Sequence, residues 1–517
     1  MISHLSEAKP PYAPPGGVLF FHDWRWLQPG YPRWLDAAGG RHPLFDPQAP
    51  PPMHLDPEFA TGVAALELRA QPATFTEPVI SPQNSPFQFA LVAGSVYHDQ
   101  GRYRLWLEVW PPEHFGQPHT GERNVVCYGE SDDGFTWRFP SIGPPPAGLA
   151  LPNAVYAAGD TLGGYYHGSS CFIDPAAPPA ERYKLFHLGR MHGDELARYE
   201  RERPHEIAGM ARHPDFAYCL CGATSPDGLR FTPLPAPLLM QNADTQNICE
   251  YDRARRTYVG YVRDHIMARR TVGRVESADF RRFGRPEPAL WPGAASGGTQ
   301  LWYASGKNVM PGVGDPANDY HVMFPLSWDV ASDRFAFHLA TSPDNGIWDR
   351  VPGGAVGSPS GVPGHWRAEC VWPGRGLVHL PDGRLALLCC GSAVPHKHPR
   401  HPPLGALGWA TWPHDRLVAL AALGEGRAET YALRVAGRRL RANFHTAAGG
   451  MLCVQVLDAN AQAVPGRTFA DCDPLIGDAF DRPVTWKGED GIPLPADAPL
   501  RLQFTLRRAE LFALRFV

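Results

Sequence analysis

Short runs of apolar or alternating residues, closed by Asp, Ser and Gly, recur along most of the chain. In one form an aromatic or aliphatic run ends in Asp, and a basic or polar residue with Tyr or Leu follows after a gap. It occurs as Tyr97-His98-Asp99 before Arg102-Tyr103, Phe172-Ile173-Asp174 before Arg182-Tyr183-Lys184, Tyr251-Asp252 before Thr257-Tyr258, and Leu380-Pro381-Asp382-Gly383 before Arg384-Leu385. A second form is Ser131-Asp132-Asp133-Gly134-Phe135-Thr136-Trp137, Ser225-Pro226-Asp227-Gly228-Leu229-Arg230-Phe231 and Ser342-Pro343-Asp344-Asn345-Gly346-Ile347-Trp348. Asp and Ser close such turns through their side chains, Gly accepts a positive φ, and the aromatic residue packs back on its own sheet. Two hairpins per unit predict a four-stranded sheet, and serial sheets predict a β-propeller.

First strands are expected near Leu91–Tyr97, Ser169–Ile173, Gln246–Tyr251, Gln300–Ser305 and Glu369–Leu380, which sets a five-bladed propeller over residues 66–425. Residues 1–65 read as a lead-in packed on that body, with Phe20–Trp26 as its strand-like piece. The tail, 426–517, changes character. Arg439–Phe444 and Leu502–Arg507 alternate, Met451–Leu457 is more continuously apolar, and turns are signalled at Gly449-Gly450, Val464-Pro465-Gly466 and Pro495–Pro499. Short strands between regular turns predict a C-terminal β-sandwich that carries no catalytic group.

With 53 glycines, 56 prolines and 19% charged residues, against about 25% in ordinary soluble proteins, the composition fits an all-β chain rich in turns. Net charge −4 without a polybasic run argues against a nucleic-acid partner. The first eleven residues hold no apolar segment of signal-peptide length, and no later run reaches the roughly 18 apolar residues of a spanning helix. A cytoplasmic protein with no membrane partner is expected. The ten cysteines form no Cys-x-x-Cys pair and read as buried free thiols.

The tail segments Val454–Asp458, Pro465-Gly466, Gly477-Asp478, Val484–Trp486 and Arg501–Phe504 resemble the C-terminal sandwich of invertases and levanases, and Glu369-Cys370 resembles the Glu-Cys pair whose Glu is their acid/base. With the propeller pattern, this is similar to glycoside hydrolases built on a five-bladed propeller with a trailing β-sandwich, the invertase/levanase-like and arabinanase/xylosidase-like families. The chain has no Trp-Met-Asn-Asp-Pro-Asn-Gly-like segment in its first blade and no Arg-Asp-Pro. The resemblance implies a glycosidase releasing a terminal sugar, with a furanoside among the candidates.

Glycoside hydrolysis needs a protonated carboxyl for the leaving oxygen and an ionised one to attack or to activate water. In a propeller such groups sit where first strands begin, beside the axis. Asp244 opens the third and Glu369 the fifth. Glu369, beside Trp366 and before Cys370-Val371-Trp372, has the apolar setting of the acid, and Asp244, among Asn242, Thr245, Gln246 and Asn247, that of the carboxylate. Glu108, ending the second strand of the first blade, faces either the pocket or solvent. Arg263, His167, Trp366 and Asn247 are the candidates for substrate binding, each with a structural role as the alternative. Asp174 shares the phase of Asp99, Asp252 and Asp382 and reads as an outer turn. His396, His398 and His401 lack a completing ligand, so no metal and no cofactor is expected. Neither Gly-x-Ser-x-Gly nor His-Glu-x-x-His occurs, which excludes the familiar esterase and zinc-protease routes. Two alternatives stand beside the glycosidase. One is a glycoside phosphorylase, needing two or more cations around a phosphate beside a single acid; the other is a non-catalytic carbohydrate-binding propeller.

Overall fold

The computed structural model describes residues 10–28, 33–35, 41–43, 54–55, 66–87, 90–111, 122–144, 151–207, 213–293, 296–312, 319–398 and 405–517. Among them strands dominate, helix is confined to short segments, and no helix is long and apolar enough to cross a membrane. The five expected first strands fall on Ala90–Asp99, His167–Ile173, Ile248–Asp252, Gln300–Ala304 and Cys370–His379.

The first sheet continues antiparallel through Arg102–Trp110, Val125–Ser131 and Ala154–Ala157. The second runs through Tyr183–His192, Phe216–Ser225 and Thr232–Pro233, with the helix Gly193–Glu202 inserted after its second strand. The third runs through Thr257–Ile266, Arg269–Ser277 and Glu287–Leu290. In the fourth unit each long pass is broken in two. Gln300–Ala304 gives way to Lys307–Val309 across Gly306, whose φ is +56°, and His321–Met323 gives way to Leu326–Asp329 across Pro325. The fifth sheet runs through Leu385–Ser392 and Ala406–Trp412, and its outermost strand is Thr74–Phe75, from ahead of the first sheet.

The turn carboxylates Asp99, Asp174 and Asp252 join neighbouring sheets. The hydroxyl of Tyr183 in the second sheet donates to Asp99 at 2.6 Å, and that of Tyr258 in the third donates to buried Asp174 at 2.7 Å. The Asn345 amide donates to Asp252 at 3.0 Å, and Tyr103 in the first sheet donates to the His379 carbonyl of the fifth at 2.7 Å. The Ser-Asp-Gly turns make a parallel set. Trp409 Nε1 donates to the Gly134 carbonyl at 2.8 Å, Trp106 Nε1 to that of Gly228 at 2.7 Å, and the Tyr261 hydroxyl to that of Asn345 at 2.8 Å. Gly228 has no substitute there: its φ is +78°, and a Cβ would stand 2.6 Å from the Trp106 ring. Ser277 and Asp279 build the same turn with Phe280 at φ +57°, a case the pattern misses because glycine is absent.

The tail is built into one sheet with two strands from early in the chain. Its long strands Val418–Glu429, Leu440–Leu457 and Arg501–Phe516 belong to one six-stranded sheet with Asp478–Pro483, Glu67–Ala70 and Val18–Phe20. The boundary expected at 425/426 therefore falls inside a strand. The turn expected at Gly449-Gly450 is instead a register shift between Thr446 and Met451 within one continuous strand. The expected lead-in strand Phe20–Trp26 is only Val18–Phe20, after which Asp23 closes a turn by accepting from the Arg25 amide at 2.9 Å. This segment also meets the fourth unit, where the Trp26 indole donates to the Tyr320 hydroxyl at 2.9 Å.

Tyr258→Phe removes one donor to a carboxylate that stays buried. The expected loss is about 1–3 kcal/mol of stability, read as a lowered denaturation midpoint; an unchanged midpoint would show that this contact does not bind the sheets together.

Candidate active site

Four of the expected residues meet at the ends of the first three sheets. Glu108, near the end of Arg102–Trp110, is buried and takes four contacts: Trp110 Nε1 at 2.7 Å, Asn124 Nδ2 at 3.1 Å, the Gly168 amide at 2.8 Å and His167 Nδ1 at 2.7 Å. His167 Nε2 in turn lies 3.3 Å from Asp244 Oδ1. Arg263 Nη1 approaches Asp244 Oδ2 at 3.7 Å. The Asp244 side chain remains 52% exposed while those of Glu108 and Arg263 keep 2% and 5%. A buried carboxylate thus grips the back of an imidazole whose front faces an accessible carboxylate.

Backbone geometry places Asp244. The Asn247 side-chain amide donates to the carbonyls of Ala243 and Thr245, both at 2.9 Å, and of Gly168 at 3.1 Å. Gly168 has φ +61°, and a Cβ there would lie 1.7 Å from the Thr245 carbonyl oxygen, so the two loops touch only because residue 168 is glycine. Asn247 is fully buried in this role and corrects the expectation of a sugar-binding side chain.

Burial disfavours the charged forms of all three titrating groups, and their mutual pairing overcomes it. Glu108 is held below the usual glutamate range chiefly by His167, whose own pKa is raised above 6.5 by Glu108 first and Asp244 second. Asp244 is held below the usual aspartate range by His167, Arg263, Arg270 and Lys397, rather than by the neighbouring amides expected to do so. All three shifts favour the charged forms: carboxylate, imidazolium, carboxylate.

Arg270, Tyr303 and Lys397 were not foreseen. Arg263 and Arg270 lie over the Tyr303 ring at 4.7 and 4.9 Å, and Arg270 also lies 4.9 Å from the Trp328 ring. The signal was present in the spacing: Met267 and Ala268 form a two-residue turn with positive φ, His265 pairs with Arg270, and Arg263 therefore shares their face. Lys397 rides beside His396, whose ring packs between Phe335, Tyr303 and Trp328. That packing explains His396 without a metal, while His401 lies outside the described residues.

Glu369 is not brought to Asp244. It pairs with Arg334 across the boundary between the fourth and fifth units, and no described contact links it to His167, Asp244 or Arg263. Its carboxylate has a guanidinium partner in place of the apolar surroundings expected of an acid. Trp366 lies against the backbone of the fifth sheet, where a Cβ on Gly391 would come 2.4 Å from its ring, so it fills space. Elsewhere His379, His414 and Asp415 bring ligand atoms within 4.8 Å of one another, but each Asp415 oxygen already meets one imidazole, at 3.1 and 3.0 Å.

No family model matches the chain, and no curated relative does. The structure is similar to an α-L-arabinofuranosidase from Podospora anserina in complex with cellotriose, at 13% identity and TM-score 0.42, over 66% of this chain and 96% of that one. It is similar to a fructofuranosidase variant from Schwanniomyces occidentalis complexed with fructosylnystose, at 10% identity and TM-score 0.42, over 86% of this chain and 98% of that one. A thermostable family-43 glycoside hydrolase aligns at 16% identity and TM-score 0.40, over 66% of this chain and 95% of that one.

The Glu108–His167 pair stabilises the fold fully between pH 4.5 and 6.5; its contribution is lost as pH rises through the raised imidazole value, and as pH falls through the lowered carboxyl value. Glu108→Gln should bring the His167 titration down, followed by imidazole NMR shifts. A His167 titration unmoved in the variant would break the assignment of Glu108 as its counterion.

Proposed function

We propose that the protein is a glycosidase whose chemistry takes place at Asp244, in the axial recess of a five-bladed propeller trailed by a sandwich. Serial four-stranded sheets, the parallel contact between first strands at Arg375 and Ser95, and closure of the fifth sheet by Thr74–Phe75 support the propeller. The bulges that bend the long tail strands support a sheet that folds over to form the sandwich. The observation that carries the activity is the Glu108–His167–Asp244 chain.

Cleaving a glycosidic bond requires a proton for the departing oxygen and a carboxylate for the anomeric side. His167, whose protonated form Glu108 favours, has its Nε2 at the accessible end of the chain and donates that proton. Asp244, held towards its ionised form, faces the positive charge that develops at the anomeric carbon as the old bond breaks, and then takes a proton from the water whose oxygen bonds to that carbon. The proton gained by Asp244 returns across the 3.3 Å gap to His167 and resets the pair. Glu108, shielded from substrate, orients the imidazole and holds its charge. Trp110, 5.4 Å from His167, supplies an aromatic face for sugar packing.

A panel of aryl glycosides, furanosides first, identifies a substrate. On it, Asp244→Asn and His167→Asn should each lose about 10² to 10⁴ in kcat, and Glu369→Gln should stay near wild type. A folded Asp244→Asn protein with full activity, or saturable sugar binding without turnover of any glycoside, would overturn the reading.

A further inference from the structure

The cations around Asp244 exceed what its one carboxylate can balance. Arg263 is almost wholly buried, its contact with Asp244 is long, and its Nε and Nη2 have no hydrogen-bond partner among the described residues. Arg270 shares the same ring and likewise carries a buried nitrogen, Nη1, without a partner. A buried guanidinium with idle donors is costly, and two side by side repel each other. Nothing in folding alone requires this arrangement: the Tyr303 ring offers its faces but accepts few hydrogen bonds. Planar donors in pairs are the geometry that receives an oxyanion with two or three oxygens.

We propose that Arg263 and Arg270, on one face of the hairpin 257–277, bind an oxyanion beside Asp244, with Lys397 and His167 adding to the positive field. Two sources share that chemistry: inorganic phosphate acting in place of water, and the carboxylate of an acidic sugar in the substrate. The phosphate route balances without an added reagent. A phosphate oxygen bonds to the anomeric carbon, the glycosidic bond breaks, its electron pair leaves with the departing oxygen, and that oxygen takes the His167 proton. The proton of monohydrogen phosphate then restores His167, and the product is a glycosyl phosphate. The acidic-sugar route keeps water as the nucleophile and uses the guanidiniums only to seat the substrate. The inference rests on the glycosidase reading for its purpose but not for its binding test.

Isothermal titration of the full chain with inorganic phosphate, and separately with glucuronate and galacturonate, should show saturable binding of one anion class and none of glucose. Arg263→Gln and Arg270→Gln should each weaken that binding about tenfold or more, with thermal unfolding confirming a folded chain. Should Arg263→Gln fail to fold, the less buried Arg270→Gln carries the test. Phosphate binding with glycosyl phosphate as product selects the first source. Uronate binding with turnover of aryl uronides independent of phosphate selects the second. No saturable binding of any of the three anions, or binding unchanged in Arg270→Gln, overturns the proposal. Turnover of neutral glycosides without anion binding leaves the glycosidase reading standing alone; anion binding without turnover of any glycoside leaves only the anion site.

Discussion

Hydrogen bonds that cross from one sheet to the next are the constraint on which the site depends. Each sheet is held within itself by its ladder, and apart from the single bridges Arg375–Ser95 and Phe335–Cys370 the ladder does not set where a sheet stands beside its neighbour. Tyr183 on Asp99, Tyr258 on Asp174, Asn345 on Asp252 and Tyr103 on His379 do so with polar groups that burial makes expensive to leave unpaired. Glu108, His167 and Asp244 come from three successive sheets, and their 2.7 and 3.3 Å contacts require those sheets to hold position to a fraction of an ångström.

The same economy of residue types serves both ends of a strand. Where the first strand leaves the site it ends in a carboxylate that locks to a tyrosine; where it enters, it carries or follows the groups that do the chemistry. His167 and Asp174 bracket a single strand in this way. Charge is distributed accordingly, with Asp99, Asp174 and Asp382 each meeting a basic side chain and the accessible end left with a surplus of cations.

Strand positions were legible because their signals are local: alternation, turn chemistry and glycine requirements act over a few residues. That Asp244, His167, Arg263 and Glu108 lie at strand termini was legible because a terminus can be located without knowing its partners. Their roles were not. Glu108 reads as rim or pocket from sequence, and only its four donors show it to be a buried counterion. The surroundings of Glu369 were not legible because apolar neighbours in sequence alternate away from the side chain, and Arg334, which pairs with it, lies 35 positions earlier. Trp366 and Asn247 have the right chemistry for sugar contacts but spend it on backbone. The tail was partly legible: its strands were found, but Gly449 reads as a turn because a bulge and a hairpin use the same residue, and the distant strands Val18–Phe20 and Glu67–Ala70 leave no local sign of where they pair.

The strand Thr74–Phe75 has a further bearing on how the molecule is made. Its partner Ala406–Trp412 follows far along the chain, and Thr411 Oγ1 donates to the Thr74 carbonyl at 2.9 Å across 337 positions. During synthesis the early segment leaves the ribosome long before its partner exists, and the growing chain carries an open edge until the fifth sheet emerges. Contacts of such long separation form slowly and expose strand edges meanwhile. Pairing of Thr74–Phe75 is thus a late event, and the nascent protein is vulnerable to edge-to-edge association until Ala406–Trp412 is translated.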